Sequence, residues 1–237
     1  PRLRELAESA TDAGAQVEWM HVDKPDFDVL AGWALPVYGL VLAAGAGSRM
    51  AGADGANKLL LEVAGQPLIA HVVEAGVEGG CHHVYAVYAD ERVKAAVGTS
   101  ATCIPNPDAA SGMASSLRVG LEAMPADAAA ALVMLGDQPL VGSRTVKMLL
   151  NAWRREGARP ALAASYATRD DWRPPVVLDR SLWPRLQELR GDQGARQVLD
   201  HSPELLDTVV TGGRPDDVDT LEDYANIVHL FPRPDPE

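Results

Sequence analysis

The stretch that decides the fold is Val37-Tyr38-Gly39-Leu40-Val41-Leu42-Ala43-Ala44-Gly45-Ala46-Gly47-Ser48-Arg49-Met50. In it, an apolar run passes directly into a glycine-rich turn that ends at an arginine. Glycines in such a turn let backbone N–H groups approach phosphate oxygens, because a Cβ would obstruct the contact. Arg49 adds a planar fork of donors suited to phosphate. The pattern predicts a strand followed by a phosphate-binding turn, although for the glycines alone a tight strand-to-helix connection is an equal alternative.

Two common phosphate-binding motifs fit this stretch poorly. A dinucleotide fingerprint needs a third glycine three positions after Gly47, where Met50 stands. A P-loop needs Gly-Lys-Ser/Thr, but Lys58 follows Asn57 and precedes Leu59. Lys58 is suited instead to neutralising a triphosphate as a compact point charge.

Strands and helices are predicted to alternate along most of the chain. Short apolar runs rich in β-branched residues predict strands at Val37–Ala44, His83–Tyr88, Thr102–Pro105, Ala130–Leu135, Ala161–Tyr166, Pro175–Leu178 and Asp207–Thr211. Amphipathic stretches predict helices at Pro67–Val77, Glu91–Val97, Met113–Ala123, Arg144–Arg155, Ser181–Leu189, Gly194–His201 and Leu221–His229. Several strands are apolar on both faces, as buried parallel strands are. We therefore expect a three-layer α/β fold with a mostly parallel sheet.

The composition excludes several classes of protein. Of the 237 residues, 47% are hydrophobic and 23% charged, the balance of an ordinary soluble globular protein. Lys and Arg total 21 against 33 Asp and Glu, and the net charge of −12 argues against nucleic acid or a membrane surface as partner. No apolar run approaches the ~20 residues of a membrane span. Two cysteines, Cys81 and Cys103, are too few for a disulfide framework, so we expect a cytoplasmic protein.

The two ends of the chain differ in pattern from its centre. Residues 1–36 combine a helical pattern, a strand pattern and a loop with Pro25, Gly32 and Pro36. We expect an N-terminal extension of unknown role at 1–36, a single domain at 37–230 and a C-terminal tail at 231–237. The tail is rich in proline and charge and is expected to fray.

Two aspartates are candidate metal ligands. Asp137 follows the apolar run Ala130–Leu135, so it stands at the carboxyl end of a buried strand, the edge where ligands bind in open α/β sheets. Mg²⁺ prefers hard oxygen ligands and links carboxylates to substrate phosphates, which makes Asp137 a candidate Mg²⁺ ligand. The alternative is a turn aspartate that caps the following helix. Asp219 is the natural partner of Asp137, and it could equally belong to the N-cap region of the helix at Leu221–His229.

Taken in order, these segments resemble the signature of the MobA-like nucleotidyltransferases. Its first part, Leu-x-x-Gly-x-x-x-Arg-Met…Lys-x-Leu-Leu…Gly-x-Pro-Leu, is matched by Leu42, Gly45, Arg49, Met50, Lys58, Leu60, Leu61, Gly65, Pro67 and Leu68. The resemblance continues through Asn106, Gly112–Leu121, Leu135–Pro139, Gly191–Arg196 and Asp217–Asp223, and so spans roughly residues 37–229. The Ala43-Ala44-Gly45 form is most similar to the molybdenum cofactor cytidylyltransferases, whereas the guanylyl branch more often has two glycines there.

The resemblance implies a Rossmann-like, GT-A-like domain that moves a nucleoside monophosphate, expected to be CMP from CTP, onto a phosphorylated acceptor such as molybdopterin. Pyrophosphate is released. It assigns Arg49, Lys58 and Asp137 to catalysis, and Asp137 and Asp219 to Mg²⁺. The residues it assigns to the nucleotide are Leu42, Ala43, Ala44, Gly45, Ala46, Gly47 and Ser48, with Ser115 and Ser116 near the sugar and base. Such chemistry needs chiefly in-line positioning and neutralisation of charge.

Two segments depart from the family pattern. Seven residues, Ala51–Asn57, separate Met50 from Lys58 where the family usually has fewer, and this insertion could displace Lys58 or form a lid. The family's Gly-His-Pro is here Trp172-Arg173-Pro174-Pro175, with a proline at the histidine position. The second departure concerns the acceptor side of the site more than the nucleotide side.

Two other functions stay open. Some proteins with this signature are described as NAD(P)H-dependent reductases of nicotine blue, and a loop that cradles a triphosphate can also cradle a dinucleotide pyrophosphate. The intact Lys58, Asp137 and Asp219 favour metal-assisted transfer, because hydride transfer needs no such carboxylates. The third hypothesis is a non-catalytic nucleotide-binding partner of a molybdenum enzyme.

Overall fold

The fold is described from a computed structural model of the chain. The structure describes residues 35–45, 57–155, 159–166, 168 and 171–231. Most of the predicted N-terminal extension, the residues 46–50 of the glycine-rich turn, the insertion as far as residue 56 and the tail after Phe231 lie outside the described residues. The predictions made for those parts stay predictions.

The described residues form nine strands, seven α-helices and four short 3-10 helices. The strands are β1 Val37–Ala43, β2 Glu62–Val63, β3 Gln66–Pro67, β4 Val84–Tyr88, β5 Thr102–Pro105, β6 Ala130–Leu135, β7 Ala161–Ser165, β8 Trp172–Asp179 and β9 Leu206–Val210. The α-helices are α1 Leu68–Glu78, α2 Glu91–Val97, α3 Met113–Glu122, α4 Ser143–Trp153, α5 Trp183–Gln187, α6 Ala195–Asp200 and α7 Leu221–Val228. The 3-10 helices are η1 Lys58–Leu60, η2 Ala109–Ser111, η3 Arg180–Leu182 and η4 Pro203–Leu205.

The main sheet has seven strands in the order β5-β4-β1-β6-β8-β7-β9. β1 pairs in parallel with both β4 and β6, β4 pairs in parallel with β5, and β7 with β9. Only β8 runs antiparallel to its two neighbours. The short connection over residues 166–171 has no room for the crossover that a parallel neighbour of β7 would need. The expected mostly parallel sheet is therefore confirmed, with β8 as its exception.

Helices cover both faces of this sheet, which gives the expected three layers. On one face, α1 and α4 contribute Val72, Val146 and Leu149 to a core that also contains the side chain of Val41. On the other face, α3, α5 and α6 contribute to a second core that contains the alternate residues of the same strand. The residues that meet there include Leu40, Leu117, Leu121, Leu186 and Leu199. The side chains of β1 alternate between two cores, as a strand buried on both faces requires.

A small third cluster joins the β2–β3 hairpin to α7. Val63, Leu68, Val218 and Ile227 form its buried centre. Phe231 packs at its border, with its ring 4.8 Å from that of His71, so the first residue of the predicted tail packs against the domain. In the part of the chain that the structure describes, no helix has both the length and the hydrophobicity to cross a membrane.

Candidate active site

The centre of the site is the edge of the sheet where β1 and β6 end. These neighbouring strands are in register from Val37↔Ala130 to Leu42↔Leu135, so their carboxyl ends lie side by side. The backbone N–H of Gly136 donates to the carbonyl of Leu42 at 3.1 Å and extends the contact beyond the strands. Asp137 therefore stands beside the start of the glycine-rich turn.

A cleft of about 340 Å³ opens at this edge, within the range of small-molecule sites. Ala44 and Gly45 border it from the end of β1, and Leu135 and Asp137 from the end of β6. The opposite wall comes from residues around the start of α3 and from the loop before α6: Ala109, Gly112, Met113, Ser116 and Asp192. Four of the predicted nucleotide-binding residues border this one cleft: Leu42, Ala44, Gly45 and Ser116. The side chain of Ala43 instead packs in the core under α1 and α4.

Lys58 joins the two predicted metal ligands. Its Nζ lies 2.7 Å from Oδ2 of Asp137 and 2.6 Å from Oδ1 of Asp219. The side chains of Lys58, Asp137 and Asp219 are 11%, 23% and 42% exposed, so the cluster is sheltered without being closed to solvent. Burial alone would lower the pKa of Lys58, but the two carboxylates more than offset it and hold that pKa above its ordinary value. The ammonium is therefore charged at neutral pH.

The position of Lys58 is set locally by the residue before it. Asn57 caps η1, and its side-chain oxygen accepts from the N–H of Leu59 at 3.1 Å. The amide Nδ2 of Asn57 donates to Oδ2 of Asp90 at 3.2 Å, which ties η1 to the start of α2. Whatever the course of residues 51–56, Lys58 enters the site from an anchored turn.

Neither of the two aspartates is the N-cap of the helix that follows it. Helix α4, which follows Asp137, has Gly142 as its N-cap, so the Asp137 carboxylate does not cap it. Helix α7 is capped by Thr220 in a capping box with Asp223, whose carboxylate also accepts from the N–H of Asp219 at 3.1 Å. The carboxylates of Asp137 and Asp219 are both directed at Lys58 instead.

The two carboxylates are chemically suited to a divalent cation. Both are hard oxygen donors, and their contact with one ammonium places them close enough together to share a single cation. No group of three or more His, Cys, Asp or Glu side chains among the described residues is arranged to hold a metal. Asp137 and Asp219 would therefore leave much of the coordination to water and phosphate oxygens, as Mg²⁺ sites commonly do.

A second polar contact lies behind this cluster, between residues to which the sequence analysis gave no role. Gln138 is 3% exposed, and its Nε2 donates to Oδ1 of Asp217 at 2.7 Å. Burial raises the pKa of Asp217; the hydrogen bond from Gln138 opposes this, and the charges of Asp137 and Asp219 add to the rise. The only sign of this contact in the sequence is the amide side chain directly after Asp137. Its partner could not be found from the sequence, because it lies 79 positions away.

The two predicted serines have different surroundings. Asn106 is 2% exposed, and its Nδ2 donates to Oγ of Ser115 at 2.9 Å and to Oγ of Ser116 at 3.0 Å. Ser115 also donates to the carbonyl of Gly112 at 2.8 Å and faces the protein interior. Ser116 borders the cleft. Of this pair, only Ser116 is therefore at the cleft surface.

Gly112 allows the chain around Gly191 to pack closely against the start of α3. Its φ is +103°, and a Cβ there would lie 2.3 Å from the carbonyl carbon of Gly191. The N–H of Ala114 donates to the carbonyl of Gly191 at 3.0 Å, so the chain around residue 191 lies directly on the start of α3. This close approach places Asp192 on the wall of the cleft.

The segment that departs from the family pattern lies at the same edge of the sheet. Trp172 starts β8 opposite the end of β7 and is 7% exposed, packed in the core under α3, α5 and α6. The guanidinium of Arg196 lies 4.2 Å from the centre of its ring and donates to its carbonyl oxygen. Arg173 forms an ion pair with Asp171 at 3.5 Å. The residues that stand where the family has Gly-His-Pro thus follow directly after a buried tryptophan that packs against Arg196.

The sequence matches the family profile described as the MobA-like NTP transferase domain over residues 39–208. The chain belongs to the MobA-like NTP transferase family. This MobA-like chain is 35% identical over 210 residues to nicotine blue oxidoreductase of Paenarthrobacter nicotinovorans, a match that covers 81% of this chain and 96% of that protein.

Solved structures match over most of the chain. The crystal structure of Rv0371c from Mycobacterium tuberculosis H37Rv has a TM-score of 0.72 and 25% identity, and covers 83% of this chain and 99% of that one. A manganese complex of the same protein has a TM-score of 0.69 at 24% identity, and covers 83% and 100%. CMP:2-keto-3-deoxy-manno-octonic acid synthetase in complex with CTP has a TM-score of 0.67 at 18% identity, and covers 82% and 98%.

These comparisons confirm the predicted family and the predicted Rossmann-like α/β fold. Family membership also supports the predicted nucleotide-binding transferase. The oxidoreductase relative keeps the alternative of NAD(P)H chemistry open.

Proposed function

We propose that this MobA-like chain is a nucleotidyltransferase that moves CMP from CTP onto a phosphorylated small molecule such as molybdopterin and releases pyrophosphate. The observation that carries the proposal is the cluster of Lys58, Asp137 and Asp219, in which one ammonium touches two carboxylates beside a nucleotide-sized cleft. Such a cluster suits the transfer of a charged phosphoryl group, whereas hydride transfer needs no such carboxylates.

The residues have distinct tasks in this proposal. Asp137 and Asp219 would hold Mg²⁺, which when bound neutralises charge on the triphosphate and orients it. Lys58 supplies a positive charge at this edge of a chain whose net charge is −12. The cleft beside Ala44 and Gly45 takes the nucleoside, and Arg49, outside the described residues, is proposed as a second cation for the phosphates. The manganese complex of Rv0371c supports a divalent metal in a protein of this fold.

The choice of CTP rests on the Ala43-Ala44-Gly45 form of the turn. The CTP complex of the structurally similar synthetase is consistent with a cytidine nucleotide in this fold. A base is discriminated through hydrogen bonds that the wrong base leaves unpaired. We therefore expect kcat/KM for CTP to exceed that for GTP.

The test is an incubation of the protein with each NTP in turn, Mg²⁺ or Mn²⁺, and molybdopterin, with pyrophosphate and the dinucleotide product measured. The expected result is metal-dependent pyrophosphate release that is fastest with CTP. A preference for GTP would move the chain to the guanylyl branch. No pyrophosphate from any NTP in the presence of the acceptor would overturn the proposal.

A second candidate is an NAD(P)H-dependent oxidoreductase, favoured by the 35% identity to nicotine blue oxidoreductase over nearly all of that protein. Oxidation of NADH and NADPH is followed spectrophotometrically with nicotine blue as acceptor. Asp137→Asn separates the candidates: a transferase loses its activity, whereas a reductase that uses only the cleft keeps it. Association with a molybdenum enzyme stays a prediction, tested by co-purification with that enzyme.

A further inference from the structure

The buried amide of Gln138 is hydrogen-bonded to a loop that is distant in the sequence. Its Nε2 lies 2.7 Å from Oδ1 of Asp217 and 3.4 Å from the carbonyl of Pro215. The N–H of Val218 donates to the carbonyl of Asp137 at 3.0 Å. The turn at residues 137–138 thus holds the loop at residues 215–218 by three hydrogen bonds.

This loop carries Asp219 but has no regular structure of its own. No helix or strand is assigned between the end of β9 at Val210 and the start of α7 at Leu221. On its carboxyl side the loop is fixed by the capping box of Thr220 and Asp223. On its amino side the loop is fixed by the hydrogen bonds to Gln138 and Asp137, and by Val218, which is fully buried in the small third cluster.

We propose that Gln138 and Asp217 form a positioning pair that keeps the carboxylate of Asp219 at the distance from Asp137 which one shared cation requires. This inference rests on the proposed function, because it concerns the same metal-dependent site. A neutral amide is a suitable donor at this position. It donates a charge-assisted hydrogen bond to the Asp217 carboxylate. Unlike a lysine, it carries no positive charge that would compete with a metal ion for Asp137 and Asp219. Removal of a side chain that orients a metal ligand by a hydrogen bond commonly weakens metal affinity by 10–100-fold.

The test measures binding of Mn²⁺ to the nucleotide-free full chain by electron paramagnetic resonance of the free ion. The variant is Gln138→Leu, which removes the amide and changes no charge. The titration is repeated in the Lys58→Met background, where no ammonium competes for the carboxylates. We expect the Kd for Mn²⁺ to rise about tenfold in both backgrounds.

The matched control is Asn106→Leu. It also replaces a buried amide by leucine, but the hydrogen bonds of Asn106 go to Ser115 and Ser116 at the start of α3 and not to the loop that carries Asp219. It is expected to lower the melting temperature and leave the Kd for Mn²⁺ unchanged. A Gln138→Leu protein with wild-type Mn²⁺ affinity, or with no larger change than Asn106→Leu, would overturn the positioning role.

A second variant decides the question if Gln138→Leu does not fold. Asp217→Asn keeps an oxygen that can accept from Gln138, whereas Asp217→Val keeps none. The expected Kd for Mn²⁺ is within about threefold of wild type for the asparagine and about tenfold weaker for the valine. Equal affinities in the two variants would reject the pair.

The outcomes for this inference differ from those for the proposed function. A wild-type chain that binds Mn²⁺ and responds to Gln138→Leu, yet releases no pyrophosphate with any NTP, supports the positioning pair and rejects the transferase. Pyrophosphate release with unaltered metal dependence in Gln138→Leu rejects the pair and leaves the transferase intact.

Discussion

Two regions that share one edge of the sheet are built in opposite ways. In the cleft wall, defined as residues 106–116, side-chain hydrogen bonds join residues nine and ten positions apart, from Asn106 to Ser115 and Ser116. In the charged cluster of Lys58, Asp137 and Asp219, the contacts span 79 and 161 positions. The cleft wall is a local structure, whereas the charged cluster exists only once the whole sheet and α7 have packed.

The two regions also differ in charge and exposure. The amide of Asn106 and the hydroxyls of Ser115 and Ser116 are neutral and almost fully buried. The charged cluster holds one ammonium and two carboxylates that stay partly exposed. In the proposed transferase, these buried neutral groups support the wall beside the nucleoside, and the partly exposed charged cluster acts on the phosphates. Substitutions in the wall should therefore act mainly on KM, and those in the cluster mainly on kcat.

The largest effect is expected from Asp137→Asn, which keeps the shape of the side chain and removes its charge. Turnover with CTP should fall by at least ~10²-fold, the scale of losing one electrostatic contact to a transition state. Metal-free nucleotide binding should change little. Steady-state kinetics and calorimetry measure the two quantities. Asp127→Asn, at the hydrogen bond to Tyr38, is the control, and undiminished turnover in Asp137→Asn would remove Asp137 from the mechanism.

Lys58→Met should move two affinities in opposite directions. A hydrogen bond to a charged group contributes about 1.5–3 kcal/mol, so NTP binding should weaken about tenfold or more, and transfer should slow with it. Binding of Mn²⁺ without nucleotide should tighten, because the ammonium no longer occupies the space between Asp137 and Asp219. Calorimetry measures the binding of NTP, and electron paramagnetic resonance measures the binding of Mn²⁺. Lys94→Met, at an exposed ion pair with Glu91, should change neither; shifts of the same sign would contradict this role for Lys58.

Gly112→Ala tests the cleft wall as a backbone structure. The φ of +103° and the contact with Gly191 leave no space for a Cβ, so the substitution should cost about 1–3 kcal/mol of unfolding free energy. The melting temperature should fall by several degrees and KM for CTP should rise, with kcat less affected. Gly142→Ala is the matched control, because Gly142 has a φ of −85° and open space around it. Equal melting temperatures for the two variants would disprove the tight contact.

The smallest effects should separate the two serines. Ser116→Ala is expected to raise KM for CTP two- to threefold, and Ser115→Ala to lower the unfolding free energy by about 0.5–1.5 kcal/mol with KM unchanged. Denaturant titration and initial-rate kinetics of both variants provide the comparison. Should Ser115→Ala change KM more than Ser116→Ala does, the assignment of the two side chains would be reversed.

The secondary structure was predictable where local patterns are strong. Strands β5 and β6 and helix α2 have the predicted bounds, because each is a short apolar or amphipathic run between clear breaks. The predicted helix Ser181–Leu189 is instead η3 followed by α5, since Pro184 stands where a new helix starts. Strand β8 begins at Trp172 rather than at Pro175, and the register with β7 shifts beside its two prolines. The β2–β3 hairpin was missed because two-residue strands carry almost no pattern.

The sequence by itself determined which chemical groups stand at the binding edge. Glycines after an apolar strand, and an aspartate at the end of another, follow from neighbours along the chain, which is the range over which patterning and turn chemistry act. The tertiary structure alone decided that Lys58 meets both Asp137 and Asp219, and that Gln138 meets Asp217. The physical reason is that these contacts depend on the parallel pairing of β1 with β6 and on the packing of α7 at the same edge. The spacing of the contacting residues along the chain encodes neither the strand pairing nor the helix packing.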